Sequence, residues 1–217
     1  MHLKKAQVQA ITMVLMAGIV ISLVGVAWFW GKPMIEKQST ATEIATAEDF
    51  IIELDKQIVE VARSGGSKSI RIPSIAGAAL KVNDTNALAS LYGNEIIFEF
   101  TTDQAMIEMG GSSASVPIET FDENPVGPYG GSPRIITLDG RELSNNQFRM
   151  ILRLRYRQLD DTTSDRGYQI VLDDGGRVTD RSASMVTVSF LGTETISGDC
   201  CGGSGDTLET KINVSIS

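Results

Sequence analysis

Residues 6 to 31 carry no charged side chain, and only Met-His-Leu-Lys-Lys stands in front of them. At about 1.5 Å per residue, a helix over this run reaches roughly 39 Å, more than the roughly 30 Å hydrocarbon core of a bilayer. No water-soluble domain leaves such a rod bare, so lipid or other protein must cover it. The run therefore reads as a membrane helix, and its place in the chain decides where everything after it goes.

Lys4 and Lys5 precede the run, while the first charges after it, Lys32, Glu36 and Lys37, are mixed in sign. The positive-inside rule then keeps the N-terminus in the cytoplasm and places the rest outside, as a single-pass protein of the cell membrane. Trp28, Phe29 and Trp30 stand where the helix would leave the outer leaflet, a level that amphipathic rings favour. The competing account is a cleaved secretory signal, with small residues at Gly25-Val26-Ala27. Signal-peptide apolar regions usually span about 7 to 15 residues, however, so retention in the membrane is the expectation.

The chain has 217 residues, enough beyond the membrane run for one domain and a connecting helix. Without Lys4 and Lys5, 17 basic residues face 27 acidic ones, a net charge of −10. That balance argues against nucleic acid or an anionic lipid surface as partner. The two cysteines, Cys200 and Cys201, are adjacent in a glycine-rich stretch and have no third cysteine to pair with. A vicinal disulfide, an intermolecular bridge and two free thiols all remain open. No metal site is expected, because zinc normally takes about four ligands and the single histidine, His2, lies across the membrane helix.

Residues 34 to 64 read as an amphipathic extension of the first helix, with Pro33 fitting a kink between the two. Ile44, Ala47, Ile51, Leu54, Ile58 and Val61 recur at steps of three and four, a stripe expected to pack on the protein's own β-domain. Ser64-Gly65-Gly66-Ser67 ends the helix.

From residue 68 the period changes to two. Strands are expected at 69 to 75, 78 to 83, 94 to 102, 134 to 138, 147 to 159, 167 to 173, 184 to 191 and 207 to 216, with alternation clearest at Ile96, Phe98 and Phe100 and at Met150, Leu152 and Leu154. Turn chemistry separates several of them, as at Asp173-Asp174-Gly175-Gly176. The fold class is thus α+β: a long N-terminal helix followed by an antiparallel β-sandwich-like domain over 65 to 217. Residues 110 to 133, rich in Gly, Ser and Pro, read as a long loop. Asn83-Asp84-Thr85 and Asn213-Val214-Ser215 have the form of N-glycosylation acceptors.

Catalytic chemistry is not expected. The exported part has no histidine for a Ser/His/Asp or Cys/His arrangement, and phosphate-cradling glycine patterns are missing. Asp160-Asp161 and Asp173-Asp174 read as turn residues. Arg149, Arg153, Arg155 and Arg157 line the face of one strand opposite its apolar residues, which reads as a solvated polar face.

Lys4-Lys5-Ala6, then Gln7, then a long uncharged helix running through Trp30-Gly31-Lys32-Pro33-Met34-Ile35-Glu36-Lys37, resembles the archaeal type IV pilin-like proteins. The resemblance implies a leader over residues 1 to 6 that a prepilin peptidase removes between Ala6 and Gln7, a class III signal peptide. It implies an assembly helix over 7 to 33 whose small residues, Ala17, Gly18, Ser22 and Gly25, allow close approach to like helices. The fifth mature position would be Ile11, where bacterial pilins usually carry Glu and archaeal relatives often lack it.

The expected protein is a structural or accessory subunit of a surface filament, self-associating or joining other pilin-like subunits, with no cofactor and no enzymatic activity. The alternative is a monomeric membrane-anchored extracellular binding or scaffold domain that braces a filament or the cell envelope.

Overall fold

The computed structural model describes residues 2–75, 77–83, 94–102, 113–118, 124, 126–143, 147–173, 179–180, 183–201 and 205–217, with 2–11, 113–117, 179–180 and 199 described by backbone alone. One helix, α1 (His2–Ser64), is followed by β-sheet. At 63 residues it is about 95 Å long. It continues through Pro33, which lacks the amide that would donate to the Phe29 carbonyl. It ends where Gly65 and Gly66 take positive φ of 74° and 88°, a conformation that glycine adopts without a Cβ clash, and the Gly65 amide closes onto the Val61 carbonyl at 2.9 Å.

Among the described residues, two six-stranded sheets follow. The first runs in the order β1 (Ser67–Arg71), β11 (Met185–Cys200), β12 (Gly205–Ile216), β9 (Arg166–Asp173), β8 (Gln158–Asp161) and β5 (Val126–Pro128). The second runs β10 (Thr179–Asp180), β2 (Ala79–Asn83), β3 (Glu95–Thr102), β7 (Phe148–Tyr156), β6 (Arg134–Glu142) and β4 (Ser113–Pro117).

The second sheet is antiparallel, and its register explains the alternation. Leu80, Phe98, Leu152 and Leu138 form one row across four strands, and Val82, Ile96, Leu154 and Ile136 form the next. Every member of both rows is buried. The first sheet is mixed rather than antiparallel, because β9 pairs with β12 and β5 with β8 in parallel. The reason is connectivity: after β9 the chain places β10 in the other sheet and returns as β11, and the β11–β12 hairpin then lays β12 along β9.

Three further differences from the expected strands are features that periodicity does not register. The strand expected over 147 to 159 divides at Arg157, with β7 and β8 in different sheets. Arg157 is buried at this corner, its amide donating to the Pro133 carbonyl at 2.8 Å and its Nε to the Ser132 carbonyl at 2.9 Å. Two short strands, β4 and β5, lie inside the stretch expected as loop, and β11 runs to Cys200 rather than stopping near 191.

Both sheets and the second half of α1 contribute to one core. Ile44, Ala47, Ile51, Leu54, Ile58 and Val61 are all buried in it, so the apolar stripe does pack on the protein's own β-domain. Phe50 on α1 sets its ring 5.3 Å from that of Phe98 on β3. Asn94 ties the sheets together: its side-chain amide donates to the carbonyls of Tyr156 and Ile170, at 3.2 and 2.6 Å, and its Oδ1 accepts from the Leu172 amide at 2.8 Å.

Candidate functional site: an exposed apolar helix clamped to the β-domain

The first half of α1 is apolar and bare. Fifteen large apolar side chains between Met13 and Ile35 are exposed, and the apolar stretch has none of its length buried within the protein. Withdrawing each from water is worth about 1.5 to 3 kcal/mol. The sum exceeds the roughly 5 to 15 kcal/mol by which an ordinary domain is stable, so cover by lipid or other helices decides how this chain exists. By length and composition it can cross a membrane.

Gly18, Ser22 and Gly25 fall on one helical face, at steps of four and three. Ala17 lies about 100° round the helix from Gly18, off that line. A Cβ built at Gly18 or Gly25 meets nothing within 4 Å, so that face is open to close approach. Ser22 donates its hydroxyl to the Gly18 carbonyl at 2.8 Å, which satisfies it without a partner helix. Trp28, Phe29 and Trp30 are exposed and, being consecutive, point to different sides of the helix. Lys4, Lys5, Ala6 and Gln7 belong to the backbone of α1, and their side chains lie outside those described.

The other half of α1 is held by a polar clamp. Asp55 occupies the apolar stripe itself, four residues after Ile51 and three before Ile58, and is 2% exposed. Its Oδ1 accepts from the Tyr156 phenol at 2.8 Å, and its Oδ2 pairs with the Arg134 guanidinium. A carboxylate in the core requires such partners, since an uncompensated one would cost several kcal/mol. Burial, reinforced by the neighbouring carboxylate, pushes the Tyr156 phenol well above its ordinary pKa. Beside the clamp, an open groove of about 450 Å³ is lined by Asp55, Lys56, Glu60, Arg63, Ser132 and Arg134. A surface ion pair, Lys68 to Glu60, joins α1 to β1.

The arginine stripe on β7 is not a free solvated face. Arg149 lies 3.3 Å from Glu99, Arg153 2.7 Å from Asp139, and Arg153 and Arg155 stand 3.6 and 3.7 Å from Glu95. Glu95 is 2% exposed and its second oxygen accepts from the Asn83 amide at 2.9 Å. The acidic partners come from the strands on either side of β7, which a single-strand pattern does not contain. Asn83, the first glycosylation acceptor, ends β2 in that contact. Asn213 lies half-buried in β12, between β11 and β9.

Cys200 and Cys201 are joined to each other as a disulfide at the end of the β11–β12 ribbon. Asp160 and Asp161 divide their roles. Asp161 caps the β8–β9 turn, accepting from the Thr163 amide at 3.0 Å and the Ser164 hydroxyl at 2.8 Å, and the latter bond holds its carboxyl below the usual range. Asp160 instead accepts from Gln158 Nε2 at 2.8 Å and from the Cys201 amide at 3.2 Å. The turn expectation therefore holds for Asp161 and fails for Asp160. Asp174, of the second pair, lies outside the described residues.

No protein-family model, no curated protein and no solved structure matches this chain.

Proposed function

We propose that the protein is a structural or accessory subunit of an archaeal type IV pilus-like surface filament. The observation that carries this reading is a single helix whose first half is bare and apolar and whose second half is locked into a β-domain. A rod of this kind transmits its position in a bundle directly to the domain it carries. Prepilin peptidase removes the leader between Ala6 and Gln7, and the mature helix then leaves the lipid for a bundle of identical or pilin-like helices through its Gly18, Ser22 and Gly25 face. Trp28, Phe29 and Trp30 hold the precursor at the outer interface, and Pro33 provides a bend just beyond it. In this reading the two sheets are the leaves of a sandwich that closes on the amphipathic half of α1 and is presented outside the cell. No catalytic step is assigned to it.

Shearing surface appendages from cells that make the protein, and imaging the sheared fraction with an antibody to the β-domain, tests this. Decorated filaments are the expected result. A chain found only in the membrane fraction, as single copies, would instead fit an uncleaved anchor that carries a binding or scaffold domain.

A further inference from the structure

We propose that reduction of the Cys200–Cys201 disulfide opens a site for a thiophilic divalent cation of the zinc class, held by both cysteine sulfurs and the Asp160 carboxylate.

The donor set is brought together by the fold. The two sulfurs and a carboxylate oxygen of Asp160 all lie within 4.8 Å of one another, although 40 residues of sequence separate the acid from the cysteines. Metal–sulfur bonds of about 2.3 Å and metal–oxygen bonds of about 2.0 Å place the donors of a tetrahedral site about 3.5 to 3.8 Å apart. The cluster is therefore within small side-chain adjustments of that geometry once the S–S bond is gone. Three protein donors leave the fourth position to water.

The surroundings are those of a built site. Asp160 is aimed by its bonds from Gln158 Nε2 and the Cys201 amide, the outer support that orients a metal-binding carboxylate. Cys200 is 1% exposed, while Cys201 is half-buried, so one donor is dry and the other gives access. Cys201 sits at φ 55°, a left-handed conformation that a non-glycine residue rarely adopts and that turns the chain at this point. Gly167 forms the floor: a Cβ there would stand 2.6 Å from Thr207 Oγ1, 3.1 Å from Gln158 Nε2 and 3.2 Å from the Cys200 Cβ. Thr207 is fully buried, and its hydroxyl has no hydrogen-bond partner among the described residues.

The chemistry balances with an external dithiol as reductant. It delivers two electrons and two protons to the Cys200–Cys201 bond, which breaks to two thiols while the reductant closes to its own disulfide. The cation then displaces both thiol protons to solvent. The oxidised chain is closed to the metal and the reduced chain open, so occupancy reports the redox state around the domain. This inference does not depend on how the helix is used.

The test uses the full chain in detergent, reduced with a phosphine and freed of it under anaerobic conditions, then titrated with Co²⁺ as an optical probe. The reduced chain should take up one equivalent with a sulfur-to-cobalt charge-transfer band and visible bands of four-coordinate cobalt, displaced by Zn²⁺. The oxidised chain should show neither. Asp160→Asn, with both thiols still titratable, should weaken binding by about tenfold or more, while Cys201→Ser should remove the charge-transfer saturation at one equivalent. Absence of the bands in the reduced wild-type chain, equal uptake by the oxidised chain, or unchanged affinity in Asp160→Asn would each overturn the assignment.

Discussion

The Tyr156 phenol donates a 2.8 Å hydrogen bond to Asp55 Oδ1, joining the end of β7 to the C-terminal part of α1 inside the core. With Arg134 on the other carboxylate oxygen, the contact fixes the second half of α1 to the β-domain. Asp55→Ala removes the charge that both partners answer and leaves Arg134 against a cavity. Because Arg134 is partly solvated, the loss should fall near the low end for a broken buried pair, about 3 kcal/mol. Denaturant unfolding followed through the β-domain measures it, and a loss under about 1 kcal/mol would show the clamp to be incidental.

The same contact predicts an alkaline limit. Tyr156 has its pKa raised by burial first and by Asp55 second, so the folded state holds the phenol proton more tightly than the unfolded state does. The stability this contributes is complete below the unfolded value near pH 10 and is lost progressively as pH rises from there through the folded value. Unfolding free energies should therefore fall above about pH 10 in the wild type, and Tyr156→Phe should flatten that fall while lowering stability by about 1 to 3 kcal/mol at neutral pH.

Asn94 predicts how the two sheets stay in register. Its φ of 60° and its three side-chain hydrogen bonds to Tyr156, Ile170 and Leu172 make it a substitute for a backbone peptide between the layers. Asn94→Ala keeps the strained backbone and leaves buried groups unsatisfied, so a loss of about 2 to 4 kcal/mol is expected. Hydrogen exchange should locate the weakening at Leu172 and its neighbours rather than uniformly.

In the filament reading proposed above, Gly18 and Gly25 mark the face that meets a neighbouring helix. Gly18→Leu should lower self-association in detergent or membranes, with insertion unaffected, because it fills a line of small residues that is open to close approach. Ala17→Leu, about 100° away, should have much the smaller effect. Cross-linking yields of the two variants decide the matter.

Elements governed by a single period were legible in the sequence. The stripe from Ile44 to Val61 and the alternations at Ile96, Phe98 and Phe100 and at Met150, Leu152 and Leu154 mark elements whose one face is buried, and burial imposes the pattern. Asp55 carried a signal that the apolar stripe hid, since a carboxylate at a stripe position must have partners, yet nothing in the local sequence names Tyr156 or Arg134. Asn94 acts through partners many residues away, as does Asp160 toward Cys201, and no local pattern encodes these contacts. The parallel pairing of β9 with β12 depends on the path of β10 and β11, and the turn at Arg157 depends on carbonyls of Ser132 and Pro133. Strands β4 and β5 lie in Gly-, Ser- and Pro-rich sequence, where propensity favours loop and pairing with β6 and β8 overrides it.

The central claim is that the apolar helix is processed and handed to a bundle. Intact-mass and N-terminal peptide mass spectrometry of the protein from its native membrane or surface fraction tests this most directly. A mature chain that begins at Gln7, dependent on the prepilin peptidase, is the predicted result. A chain that retains Met1 and is unchanged when the peptidase is deleted would contradict it.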